Sequence, residues 1–188
     1  MACRSDPSRS QPTIGPGELA LCGVMGAMGL LLPVVMHALR IWPVFMPMHL
    51  PIMTLAFLVR PLPAATTAAI VPLASGILTG MPPFYPPLAI WMSCELACMA
   101  GLASLVYKVL PWAHRAIYGR SLILAFAMIV GRLLYMGMVY AFSLVMQLPA
   151  GLLTGLSFIT GWPGMILMLI AIPPAVVLVE RSARRPLA

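Results

Sequence analysis

Long apolar runs alternate with short stretches of proline, glycine or charge along most of the chain. Six of these runs are predicted to be helices, at residues 18–39, 49–59, 64–79, 86–110, 121–148 and 162–179. The first run reaches the length of about 20 residues that a bilayer-spanning helix needs, and it is longer than the apolar part of a usual signal peptide. The second run is too short to cross alone. Part of the preceding loop, 40–48, is therefore expected at membrane depth, buried in protein or beside a water-filled cavity.

The composition excludes a water-soluble fold. Of the 188 residues, 62% are hydrophobic and only 8% are charged, whereas soluble domains have about 25% charged residues. We therefore predict an all-α membrane protein with one six-helix membrane domain, residues 18–180. A polar tail at residues 1–17, expected to be disordered, precedes it, and a basic tail at 181–188 follows it.

The positions of the cations predict the orientation of the domain. Cytoplasmic loops of membrane proteins carry an excess of Lys and Arg. With six spans, one side of the membrane receives Arg4, Arg9, Arg60, Lys108, Arg115, Arg120, Arg181, Arg184 and Arg185. The other side receives Arg40. Both termini are thus predicted to be cytoplasmic. Since the cations end apolar runs rather than forming a stripe interleaved with aromatic residues, a nucleic-acid partner is not expected.

Two ionisable residues, Glu95 and Arg132, lie well inside predicted spans. A charge at mid-depth costs a few kcal/mol in lipid, so each side chain is expected to face protein or water. A direct ion pair between them is possible but not required. Two interpretations stay open: a pair that only holds helices together, and contact of at least one side chain with a ligand.

Helical spacing places aromatic and methionine side chains beside these charges. Trp91, Met92 and Met99 share a face with Glu95, and Met128, Tyr135, Met136 and Val139 share a face with Arg132. Two loops predicted on the outer side add methionine, proline and aromatic residues. Such surfaces suit a pocket for a small amphipathic molecule. The candidate ligand-binding residues are Met48, His49, Met81, Trp91, Glu95, Arg132 and Tyr135.

Other chemistry has little support in the sequence. Of the four cysteines, Cys94 and Cys98 lie on an apolar helix and Cys22 is isolated, so no metal site is predicted. Ser75 and Ser93 have no acid–base partner nearby in sequence, and we expect no enzymatic activity. A channel is disfavoured because no span repeats polar residues along one whole face.

Small residues on the first predicted helix, Gly23 and Ala27, have the small-x-x-x-small spacing that lets two helices approach closely in lipid. The residues alone leave open whether this face packs inside the bundle or against another protein.

Several segments together resemble the substrate-binding S component of an energy-coupling factor (ECF) vitamin transporter. They are residues 45–51 (FMPMHLP), residues 79–83 (TGMPP), Glu95-Leu96 and Gly131-Arg132. The resemblance extends over residues 19–179. It implies six helices with both termini cytoplasmic, in the cytoplasmic membrane of a bacterium, and binding of a vitamin or related micronutrient from outside.

The resemblance also implies partners: a membrane coupling subunit and two cytoplasmic ATPases, which hydrolyse the ATP. No cofactor of the chain's own is implied. The family's docking motif in the first helix, Ala-x-x-x-Ala, falls on Gly23 and Ala27. The sequence does not name the ligand, although one Arg, one Glu and one His suit an aromatic or carboxylated molecule. The alternative function is a structural or assembly protein that transports nothing.

Overall fold

The computed structural model describes residues 14–38, 47–85, 87–114, 117–146 and 150–183, with backbone only at 111, 114, 150–163 and 181–183. Six α-helices occur in these ranges: α1 Pro16–Ala38, α2 His49–Leu58, α3 Pro61–Thr79, α4 Leu88–Val109, α5 Ile117–Met146 and α6 Ala150–Ala183. A short 3₁₀ helix, Pro111–His114, lies between α4 and α5. The all-helical class predicted from the apolar runs is confirmed.

Four of these helices, α1, α3, α4 and α5, are long and apolar enough to cross a membrane. Helix α2 has only 10 residues, and the apolar part of α6 with described side chains is Gly164–Glu180. The structure therefore supports a membrane-embedded protein. Six crossings and the cytoplasmic position of the termini stay predictions.

Several predicted helix limits are wrong. Helix α1 begins at Pro16, within two residues of the predicted start, whereas α3 begins at Pro61 instead of residue 64, because a proline in the first helical turn needs no hydrogen-bond donor. Helix α5 begins at Ile117 inside the predicted 111–120 connection, and α6 begins at Ala150 inside the predicted Gly-rich loop. In an apolar environment no water is available to the backbone N–H and C=O groups. Extending the helix gives these groups hydrogen-bond partners within the chain. The tail residues 1–13 and 184–188 and most of the 40–48 loop lie outside the described residues.

The short helix α2 forms the centre of the core. It packs on α1, α3, α4 and α6, and Ile52, Met53 and Leu55 are completely buried. The prediction that the second helix is too short to cross alone agrees with its length, and neighbouring helices surround it.

Helix α1 lies at the periphery of the described bundle. Only 11% of its apolar window is buried, and the buried residues are Cys22, Gly26 and Gly29. A Cβ atom on Gly29 would lie 3.1 Å from Val71 Cγ1 and 3.4 Å from Ile52 Cδ1. Glycine at this position therefore allows α1 to approach α2 and α3.

Candidate functional site

Glu95 on α4 and Arg132 on α5, the ionisable residues predicted inside spans, contact each other. Arg132 Nη1 lies 3.5 Å from Glu95 Oε1, and Arg132 and Glu95 are 7% and 3% exposed. The ion pair that the sequence allowed is therefore present. Because each charge has a buried counter-charge, neither is isolated in an apolar environment.

Gly131, which precedes Arg132, allows α4 and α5 to approach closely. A Cβ atom at this position would overlap Met99 Cγ and would lie 2.5 Å from Met99 Sδ and 3.5 Å from Glu95 Cγ. Met99 is 3% exposed, so its side chain occupies the space above the glycine. The Gly131-Arg132 pair thus combines close packing with a charge.

His49, the first residue of α2, is 2% exposed. Neither of its ring nitrogens has a hydrogen-bond partner among the described residues. Leaving a buried polar group unsatisfied typically costs about 1–3 kcal/mol. An apolar side chain of similar size avoids this cost, so packing against the described residues does not account for a histidine here.

A small void joins His49 to the ion pair. Its described lining consists of His49, Glu95, Arg132 and the methionines Met99, Met128, Met165 and Met168. The space open to the centre of a water-sized sphere is about 10 Å³, which is about the room that one water molecule needs. The void therefore holds no more than a single small polar group in this conformation.

An aromatic cluster extends from the ion pair along α4 and α5. The guanidinium carbon of Arg132 lies 5.8 Å from the centre of the Tyr135 ring, within cation–π range. Tyr135 meets Trp91 edge-on with ring centres 6.4 Å apart, and Trp91 meets Phe142 at 5.1 Å. Four predicted ligand-binding residues, Trp91, Glu95, Arg132 and Tyr135, thus form one continuous chain of contacts.

Two other candidates lie elsewhere. Met48 is 5% exposed and belongs to the hydrophobic core beside His49, outside the described lining of the void. Met81 is 58% exposed in the loop between α3 and α4. Its carbonyl oxygen accepts a hydrogen bond of 2.7 Å from Ser75 Oγ. The structure does not bring Met81 into contact with the void.

The predicted docking residues, Gly23 and Ala27, lie on the exposed side of α1. A Cβ atom added to Gly23 meets nothing within 4 Å in the described structure. Within the described residues, the small residues of α1 that pack inside the bundle are instead Gly26 and Gly29, on the buried side of the helix.

A second polar cluster, which sequence reasoning missed, joins α4, α5 and α6. Arg120 Nη2 lies 2.8 Å from Glu180 Oε2. The Tyr107 hydroxyl donates to Glu180 Oε1 at 3.0 Å and accepts from Arg120 Nε at 3.1 Å. The sequence predicts only a cytoplasmic loop position for Arg120, and its partner is 60 residues away along the chain. No local pattern indicates such a pair.

A third ion pair closes the same end of the bundle. Glu18 on α1 accepts hydrogen bonds from the Arg60 backbone N–H at 2.6 Å and from Arg60 Nε at 2.9 Å. Between this pair and the Tyr107 cluster lies a cleft of about 350 Å³, whose described lining also includes Lys108. The cations of this end, Arg60, Lys108 and Arg120, are among those that the charge distribution predicts on the cytoplasmic side.

No family model, curated protein or solved structure matches the chain. The site's interpretation therefore depends on its own geometry and on the resemblance described above.

Proposed function

We propose that this chain is the substrate-binding S component of an ECF-type transporter that takes up a vitamin or related micronutrient. The chain would cross the cytoplasmic membrane of a bacterium six times, with both termini in the cytoplasm. The observation that carries the proposal is the buried His49, without a partner among the described residues, beside the Glu95–Arg132 pair. A polar centre of this kind inside a membrane domain marks a ligand or ion pathway more often than a packing element.

In this proposal the chain binds its ligand and performs no catalysis. The void is closed to anything larger than about one water molecule, so the ligand enters by displacing side chains. Four methionines line the void, and methionine is unbranched and readily changes rotamer. A ligand-induced opening of the methionine wall is therefore the expected route of ligand entry.

Transport would require the partners that the resemblance implies, a membrane coupling subunit and two cytoplasmic ATPases. Gly23 and Ala27 support this part of the proposal, because they lie on the exposed side of α1 and leave its backbone accessible. Close backbone approach drives helix association in lipid. Two small residues one turn apart on a peripheral helix are suited to such a contact.

The alternative, a structural or assembly membrane protein, is favoured by one observation. Glu95 and Arg132 neutralise each other across α4 and α5, as a pair that only holds helices together would do. This alternative gives no role to the His49 imidazole, which has no hydrogen-bond partner among the described residues.

The first test is mass spectrometry of the small molecules released when the full-length chain, purified in mild detergent, is denatured. We expect one micronutrient-like compound at close to one molecule per chain. Protein that repeatedly contains no such compound, from cells grown in rich medium, contradicts the proposal and favours the structural alternative.

The second test concerns docking and uses the double variant Gly23→Leu, Ala27→Leu. We expect normal expression and ligand content, together with loss of co-purification with the coupling subunit and of uptake. The control is Gly26→Leu on the buried side of α1, where even a Cβ atom lies 3.4 Å from Thr67 Cγ2. This control should lower expression and ligand content together. A double variant that still forms the complex and transports removes the docking assignment.

A further inference from the structure

The charges around the void restrict what it can bind. Its described lining contains one acidic and one basic side chain, Glu95 and Arg132, and these are paired at 3.5 Å. The described site thus has no net charge. An anionic ligand at Arg132 would compete with Glu95 for the guanidinium and bury a second negative charge beside one positive charge, which is strongly unfavourable. A cationic ligand would compete with Arg132 for Glu95 and bury a second positive charge beside one negative charge.

His49 can form hydrogen bonds with a neutral ligand. A neutral imidazole has one donor and one acceptor nitrogen, and both are unused among the described residues. The two nitrogens point to opposite sides of the ring, so a ligand edge that carries both a donor and an acceptor can pair with one of them in either tautomer without adding charge. Heteroaromatic rings with an amide or amino group next to a ring nitrogen have this arrangement.

The remaining surface of the void favours a flat, polarisable ring. Met99 extends from α4, Met128 from α5, and Met165 and Met168 from α6. Thioether sulfur makes favourable contacts with aromatic rings. Since the void itself holds about one water molecule, the ligand's polar edge would take that position, and the ring would displace methionine side chains. A single ring requires the smallest displacement.

From these observations we infer that the site binds a small, electrically neutral, single-ring heteroaromatic compound with a donor and an acceptor on one edge. This inference rests on the proposed function and narrows it: the carboxylated ligands that the sequence left open are excluded.

The test is the net charge and structure of the compound that co-purifies with the full-length wild-type chain, determined by mass spectrometry in both ion modes. A neutral heteroaromatic compound supports the inference. A carboxylate, a phosphate ester or a permanent cation overturns it and leaves the proposed uptake function standing. Wild-type protein without any bound compound overturns the proposed function and the inference together.

Variants of His49 test the contact itself. His49→Phe retains a flat side chain and removes both polar atoms, so the bound compound should fall about ten-fold or more without a loss of protein stability. The matched control is His37→Phe, which alters an exposed histidine near the end of α1 and should retain the compound in full. His49→Gln, which keeps one donor and one acceptor, should retain more compound than His49→Phe.

If His49→Phe retains the compound at wild-type occupancy, the assignment of His49 is wrong. If His49→Phe does not fold, the comparison of His49→Gln with His49→Leu decides. Equal occupancy in these two variants overturns the inference, and higher occupancy in His49→Gln supports it.

Discussion

Replacement of Gly131 by alanine tests the close approach of α4 and α5 that positions the ion pair. The added methyl group would overlap Met99 Cγ and lie 2.5 Å from Met99 Sδ. Because Met99 is 3% exposed, its side chain has little free space to move into apart from the void beside Glu95. Overpacking of this kind typically costs about 1–3 kcal/mol.

Helix propensity acts in the opposite direction and has to be separated from the overlap. A Gly→Ala change inside a helix stabilises it by about 0.5–1 kcal/mol when nothing opposes the methyl group. A Cβ atom added to Gly137, on the same helix, meets nothing within 4 Å in the described structure. Gly137→Ala therefore measures the propensity gain alone. Gly131→Ala should be less stable than Gly137→Ala by the overpacking cost, about 1–3 kcal/mol.

The partner variant Met99→Ala identifies the source of the cost. By itself it should destabilise the protein by about 2–5 kcal/mol through the cavity it creates. When Met99 is already alanine, the methyl group of Gly131→Ala meets no methionine side chain. Gly131→Ala should then be neutral or stabilising. The coupling free energy between the two positions is expected at about 0.5–3 kcal/mol.

The assay is reversible unfolding in mixed detergent micelles, followed by circular dichroism and tryptophan fluorescence. All four variants share one protocol, and the wild type gives the reference free energy of unfolding. If Gly131→Ala stabilises the protein as much as Gly137→Ala, the helices do not approach as described. If the changes in unfolding free energy caused by Gly131→Ala and Met99→Ala are additive, overlap with Met99 is not the cause of the destabilisation by Gly131→Ala.

Two further predictions concern the ion pairs. Arg132→Met leaves Glu95 buried without its partner and should destabilise the protein by about 3–5 kcal/mol. Adding Glu95→Leu should recover most of this loss, and a stable double variant that keeps its bound compound shows that the ion pair takes no part in ligand binding. Glu180→Gln keeps its shape but gives Arg120 a neutral acceptor, so thermal unfolding in detergent should report a loss of about 1.5–3 kcal/mol. Glu18→Gln should cost at most about 1 kcal/mol, because its partner Arg60 is 31% exposed whereas Arg120 is 7% exposed. An equal loss from both changes argues against a role for burial of the arginine.

The positions of the helices were largely predictable because apolar length is a property of the local sequence. A run long enough to satisfy its own backbone hydrogen bonds across a bilayer becomes a helix whatever surrounds it. The limits that failed were set by Pro at Pro61, by Gly at Ala150 and by charge at Ile117, residue types that can either end a helix or be included in it. Their effect depends on whether water is available to the backbone, and the sequence does not state this.

The candidate site was only partly predictable. Helical spacing placed Trp91 with Glu95 and Tyr135 with Arg132, and these residues do lie together. The spacing gave no information on the sides of the void that α2 and α6 form. In lipid, apolar side chains face both the membrane and the protein, so periodicity does not identify the helix that packs against a given face.

The sequence by itself determined that this is a helical membrane protein, that its second helix is short, and that two opposite charges lie within its spans. Only the tertiary structure decided that these charges neutralise each other, that His49 has no partner beside them among the described residues, and that Arg120 pairs with Glu180. The first group of properties depends on local hydrogen bonding and solvation, which each segment carries by itself. The second depends on distances between segments far apart in the chain, and packing alone sets these distances.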